Sequence, residues 1–407
     1  MNILRLKTTF LLLIILAIMS PPFVFSQIEY FGREIRALLG VIVLLLIYLK
    51  SSKFKFKDIC ILLLLGIIIL LEVIFQRSST NNILSAYAVI FIAFSLFRLL
   101  KSNKLSLEIF LNLWFRFSLI VSIAAIISFL IHQFSSFNAD ILNFNSSPAL
   151  FNPSYDYRMS IFGFTINKNF GFVELERVSS FFNEPQYAGM FFAFNMLLAK
   201  NRNKLMPRKY FVVSLLAGLL TFSSTFYLVF LVFLISYIIP YIKPNQIKTI
   251  VIPVLLMFFF LFLIFIYWLD ISFDVKKMLF LNKTSFVDRF ERNYHAIKLL
   301  YDTSISKLLF GHGINTYMEF NIDELGRGLS SGFLYLLFEF GFLVSCVVLV
   351  MWISFSNKNR TLILISLIYL IAMPWYKYYF CWYAIILCGL SYTNTFRYKS
   401  ADNKMVS

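Results

Sequence analysis

Twelve apolar runs, each close to the ~20 residues a helix needs to cross a bilayer, constrain this chain more than anything else in it. They fall near residues 8–27, 35–50, 59–76, 82–99, 110–133, 185–200, 209–223, 225–242, 248–269, 332–355, 361–375 and 378–396. Of the 407 residues, 60% are hydrophobic and 14% charged, whereas soluble domains carry about a quarter charged residues. The pattern predicts a single polytopic domain over 1–407, an all-α integral membrane fold with about 12 transmembrane helices. Two joints stay open. Ser223-Ser224-Thr225 makes the seventh and eighth runs either a tight hairpin or one broken helix, and Pro374-Trp375-Tyr376-Lys377 divides the last two, which are short. The first run follows Arg5 and Lys7 as a signal sequence would. Ser20-Pro21-Pro22 stands where a small-residue cleavage site is expected, so it reads as an uncleaved helix.

The basic residues alternate with the runs. With both termini in the cytoplasm, the inner segments hold 21 of them, and the short outer loops hold 4: Arg33, Arg36, Arg77 and Lys377. Such a bias orients membrane proteins. It also assigns the net charge of +17 to loops facing anionic lipid, not to nucleic acid, for which no recognition module is visible. Cys60, Cys346, Cys381 and Cys388 lie inside apolar runs, with no CxxC and no neighbouring His. A disulfide framework and a zinc site are both excluded on that spacing.

Two outer segments are long, about 134–184 and 270–331. The first is rich in Asn, Ser, Pro and Phe and reads as irregular structure with turns. The second carries eight basic and eight acidic residues. Within it Phe286, Phe290, Tyr294, Ile297 and Leu300 recur at helical spacing, which predicts an amphipathic helix along the outer membrane surface.

These two segments also hold the chemistry. Arg177-Val-Ser-Ser-Phe-Phe-Asn-Glu184-Pro185 groups a guanidinium, two hydroxyls and a carboxylate at the mouth of an apolar run. The bland account is a helix entry, with Pro185 at the first position, Glu184 near the positive dipole and Asn183 as cap. It leaves Arg177 to pair with Glu174 or Glu184. The functional account is half of a polar site. Arg289 and Arg292, three residues apart, share a helix face, either as a solvated face with Asp288 and Glu291 or as a bidentate clamp for phosphates. His312, in Gly311-His312-Gly313, belongs to a plain turn or to one that presents an imidazole. Glu339, about two turns into its run, is expected to face the protein interior and pair with a cation or hydroxyl. Nucleotide-sugar D-x-D pairs, P-loops and dinucleotide fingerprints are not visible.

Four stretches in order, Arg177-x-Ser-Ser-Phe-Phe-x-Glu-Pro-x-x-x-Gly189, Asp288-Arg289, Leu309-Phe-Gly-x-Gly313-x-x-x-Tyr317 and Leu334-x-x-Leu337-x-Glu-x-Gly341, resemble the bacterial O-antigen polymerase and O-antigen ligase superfamily. The resemblance covers most of the chain from about residue 70 onward. It implies a C-type glycosyltransferase fold in the bacterial inner membrane, with no cofactor and no metal. The implied partners are undecaprenyl-pyrophosphate-linked glycan donor and acceptor, membrane lipid and a chain-length regulator. On this footing Arg77, Arg177, Arg289 and Arg292 bind the pyrophosphate, and Arg177, Glu184, Arg289 and His312 are the catalytic candidates, with Glu184 or His312 as general base. Tyr155, Tyr157, Phe181 and Phe182 are candidates to stack on sugar rings. The ligases carry a His-Asn just before the run at 332–355, where this chain reads Leu329-Ser330-Ser331-Gly332. That departure favours a repeat-unit polymerase over a ligase. A lipid-linked oligosaccharide flippase is the alternative of a different class.

Overall fold

The computed structural model describes residues 3–20, 33–50, 80–134, 156–160, 162–169, 174–201, 208–238, 296–301, 303–313 and 331–405 (358 excepted), with single positions at 23 and 67. The described chain is mostly helical. Helices α1 (Ile3–Ile18), α2 (Arg33–Lys50), α3 (Thr80–Ser102) and α4 (Lys104–Phe134) precede a small sheet. Helices α5 (Pro185–Asn201), α6 (Arg208–Leu219) and α7 (Ser224–Ile238) follow it, and α8 (Ile305–Phe310), α9 (Gly332–Ser356), α10 (Arg360–Ala372) and α11 (Tyr379–Met405) complete the order. By length and composition, α4 and α9 can cross a membrane. Among the described residues, two helices pass that test against twelve runs in the sequence. The runs at 59–76 and 248–269 lie outside the described residues, apart from Ile67. Helices α6 and α10 are 12 and 13 residues long, about 20 Å or less at 1.5 Å per residue and short of a ~30 Å hydrocarbon core.

Helix α5 is the centre of the packing, lying against α6, α7, α11 and the sheet. The core is aromatic. Trp114, Phe110, Phe191, Phe182, Phe380, Trp382 and Tyr383 are all fully buried and meet mostly edge-on or tilted, for example Trp114 on Tyr383 at 6.3 Å and Phe182 on Phe191 at 5.4 Å. Such geometries suit the ring quadrupoles. The indole N–H of Trp114 donates to Asn195 Oδ1 at 2.9 Å, so its polar atom is satisfied inside the core. The outer faces are also apolar: Ile120, Ile123 and Leu130 of α4, Leu228 and Leu231 of α7, and Val350 and Ile353 of α9 are exposed. Apolar residues on both inner and outer faces fit a membrane-associated body.

The first long outer segment is not irregular throughout. Strands β1 (Asp156–Ser160), β2 (Gly163–Asn169) and β3 (Glu174–Ser180) form an antiparallel sheet in the order β1-β2-β3, which corrects the reading of loops and turns and adds strand to the expected all-α fold. The sheet is fastened to the last turns of α4. His132 Nδ1 bonds Thr165 Oγ1 at 2.8 Å, the Glu176 N–H donates to Gln133 Oε1 at 3.0 Å, and Ser128 Oγ donates to the Gly163 carbonyl at 3.3 Å. His132, expected as interfacial packing, is thus a buried tie between helix and sheet. The free edge of β3 is covered by the turn between α6 and α7, where the Val178 N–H donates to the Leu220 carbonyl at 3.0 Å. Capping an edge in this way satisfies its backbone groups. The polar joint at 223–225 therefore separates two helices, with the turn preceding it docked on the sheet.

Candidate functional site

The corner between β3 and α5 carries the first candidate residues. The β3 pairing fixes Arg177 opposite Ile166, and Arg177 Nε donates to the Thr221 carbonyl at 3.4 Å. The side chain is half-buried and lies near the Tyr227 hydroxyl, on which its charge acts. Ser179 and Ser180 are fully buried, and Ser180 Oγ donates to the Val121 carbonyl at 3.4 Å. The Ser180 hydroxyl thus holds the sheet to α4, and both hydroxyls expected at the mouth are buried. Phe182 is buried among Phe23, Phe191 and Phe380, which removes it as a sugar-stacking ring. The side chains of Tyr155 and Tyr157 lie outside the described residues.

Pro185 opens α5, as expected of a residue with no N–H to satisfy. That places Glu184, not Asn183, at the cap position. The Glu184 carbonyl accepts from the Tyr187 and Ala188 N–H groups at 3.2 and 3.4 Å, and Asn183 Oδ1 accepts no hydrogen bond. The half-buried Glu184 carboxylate acts electrostatically on the hydroxyls of both Tyr187 and Tyr378. Those two hydroxyls bond each other at 2.9 Å, with their rings edge to face at 5.1 Å. Beside Tyr187, Gln186 Nε2 donates to the Ala372 carbonyl at 3.2 Å.

Tyr378 follows a single 3-10 turn, Trp375–Lys377, between α10 and α11. Lys377 in that turn forms an ion pair with Glu339 of α9 and stands 4.8 Å from the centre of the Tyr335 ring, a cation–π arrangement. Glu339 is fully buried, so its expected cation partner is now identified. The polar cluster at this end of the bundle therefore comprises Glu184, Tyr187, Tyr335, Glu339, Lys377 and Tyr378, drawn from three segments distant in sequence. Sequence reasoning counted Lys377 only as an outer-loop charge. Its placement directly after Pro-Trp-Tyr, between two apolar runs too short to be ordinary spans, was the available signal.

His312 lies elsewhere in the arrangement. Its ring stacks on Phe338, with centres 4.3 Å apart and planes 7° from parallel, and Nε2 bonds Thr303 Oγ1 at 2.9 Å. Burial, reinforced by the charge of Lys307, lowers its pKa to about 4. The turn is docked by backbone bonds, from the His312 N–H to the Phe338 carbonyl at 2.8 Å and from the Gly313 N–H to the Glu339 carbonyl at 3.2 Å. Those carbonyls are exposed for pairing because α9 kinks at Gly341, where φ is +69°. Gly311 and Gly341 interlock: a Cβ on Gly311 would stand 2.2 Å from the Glu339 carbonyl oxygen, and one on Gly341 would stand 2.3 Å from the Gly311 nitrogen. The glycines thus serve a close backbone crossing, and the imidazole is a packing group held against α9. The helical stretch at 296–301 rests on the same face, with Ala296 packed against Phe338. It is the described end of the expected amphipathic helix.

Arg77, Arg289 and Arg292 lie outside the described residues. Arg177 and Glu184 are placed on one strand-to-helix corner, while His312 belongs to the docked turn on α9. No group of three His, Cys, Asp or Glu among the described residues could hold a metal ion. Compared with protein-family models, with curated proteins and with solved structures, the chain matches none of them.

Proposed function

We propose that the protein is a polymerase of undecaprenyl-pyrophosphate-linked oligosaccharide repeat units, transferring the growing glycan to a new unit at the outer face of the bacterial inner membrane. The observation that carries the reading is the corner at the entrance to α5. There a guanidinium (Arg177) and a carboxylate (Glu184) are fixed seven residues apart by a paired strand and a helix start, in the order the superfamily resemblance requires. In this reaction the bond from the donor sugar C1 to the pyrophosphate oxygen breaks, and C1 forms a new bond to an acceptor hydroxyl oxygen. The hydroxyl proton passes to a base, and the lipid pyrophosphate leaves with the electron pair. Arg177, with Arg77, Arg289 and Arg292, stabilises charge gathering on the departing pyrophosphate. Glu184 fits the base better than His312, whose ring is stacked and hydrogen-bonded. Holding two lipid-anchored chains in one orientation supplies much of the rate.

Deleting the gene and displaying the surface polysaccharide on a gel tests this. The expected result is collapse of the ladder to core plus one repeat unit, rescued by wild type and not by Arg177→Ala. Loss of every unit, including the single one, would point to ligase or flippase activity instead. One observation favours the transporter as second reading. Glu339 is buried next to a helix break at Gly341, and transporters build sites at broken helices. In that case single lipid-linked units accumulate on the cytoplasmic side of the Arg177→Ala strain, where an external glycan probe does not reach them.

A further inference from the structure

The described halves of the polar cluster are joined by one continuous chain of contacts. The 311–313 turn is bonded to the backbone of Phe338 and Glu339. The Glu339 carboxylate pairs with Lys377, whose neighbour Tyr378 bonds Tyr187 at 2.9 Å, and Tyr187 lies one helical turn from Glu184. The Glu339 carboxylate also acts electrostatically on the buried Tyr376 hydroxyl of the 375–378 turn. The turn's remaining polar ties run to its own neighbourhood, Trp375 Nε1 to the Ser366 carbonyl at 2.9 Å and the Tyr376 carbonyl to Trp382 Nε1 at 2.8 Å.

Resting on the polymerase reading, we infer that Glu339 and Lys377 are positioning residues: their ion pair sets the 375–378 turn so that the Tyr378–Tyr187 hydroxyl pair holds Glu184 in register with α9 at the head of α5. A buried carboxylate with an ammonium partner is a costly device if it only fills space, since apolar residues of similar volume serve stability equally well. Its worth lies in direction. Lys377 is held from two sides, by the Glu339 carboxylate and by the Tyr335 ring, which restricts a side chain that is otherwise loose. A shift of about 1 Å at a group that positions a reacting atom is enough to cost on the order of 100-fold in rate.

The test separates charge balance from positioning. Lys377→Met strands a buried carboxylate, so the protein level falls whatever the role. Glu339→Gln with Lys377→Met removes both charges and is expected to restore accumulation in the membrane while the polysaccharide ladder stays shortened and turnover of a purified lipid-linked repeat unit drops at least tenfold in kcat with KM little changed. Lys377→Arg, which keeps the cation, is expected to retain most of the ladder. A double variant with both wild-type level and wild-type ladder overturns the inference. Should the double variant not accumulate, Tyr378→Phe decides, since it deletes one hydroxyl: a shortened ladder supports the register argument and an unchanged one overturns it. Arg177→Ala run beside these separates the two failures. If it leaves the ladder intact the polymerase reading itself falls, whereas an intact ladder in the double variant alone removes only the positioning role.

Discussion

His312 illustrates how the surroundings of one side chain decide its chemistry. With a pKa lowered to about 4 from the ordinary 6.5, the folded protein binds fewer protons than the unfolded chain between those values. Stability contributed by the neutral ring is whole above pH 6.5 and is lost as pH falls toward 4. The melting temperature of the detergent-solubilised protein should therefore drop on going from about pH 7 to about pH 5, and the drop should be smaller in His312→Phe, which keeps the stack on Phe338 without the titration. Parallel curves for the two proteins would remove the residue from this role. Some residues were readable in advance and others were not, for physical reasons. Pro185 at the head of α5 and an inward Glu339 follow from local rules about helix starts and buried charges. The partner of Glu339, 38 positions away, follows only from the way α9 and the 375–377 turn come together.

Among the elements, the sheet and the kink of α9 carry the arrangement, and neither stood out in the sequence. Strand β3 contains Glu174, Glu176 and Arg177, charges that obscure period-two alternation, and it is flanked by Asn, Ser and Pro that signal turns. Its stability comes from partners outside it, the end of α4 and the 220–222 turn. The kink depends on glycine. Gly341 adopts φ +69° and ψ −177°, a conformation other residues reach only at a cost of about 1–3 kcal/mol, and an added methyl would meet backbone of Gly311 and Leu309. Gly341→Ala should thus destabilise by more than about 2 kcal/mol, read as a lower midpoint in thermal size-exclusion profiles, and should release the 311–313 turn to proteolysis. A midpoint equal to wild type would show that the crossing yields without strain.

At the scale of the whole molecule, an aromatic interior lies inside an apolar exterior. Among the described residues, the buried ion pair and the tyrosine hydroxyl pair lie together where the 375–378 turn meets α5 and α9. Composition alone made such pairing legible, because a chain with so few charges must keep them at its ends or pair them. The backbone bonds from His312 and Gly313 to Phe338 and Glu339 have a further effect. They pinch Gly313 against Glu339, so the chain leaves the described body there and re-enters it at the head of α9, about 10 Å away along the helix. Lengthening such a closed loop is cheap, roughly 0.6 kcal/mol per doubling. A short Gly-Ser insertion between residues 320 and 325 should leave the protein level unchanged, whereas the same insertion between Gly311 and Gly313 should abolish it. Equal losses would mean the pinch does not isolate the segment. If the pinch does, that stretch is free to vary in length and sequence while the scaffold beneath it stays constant.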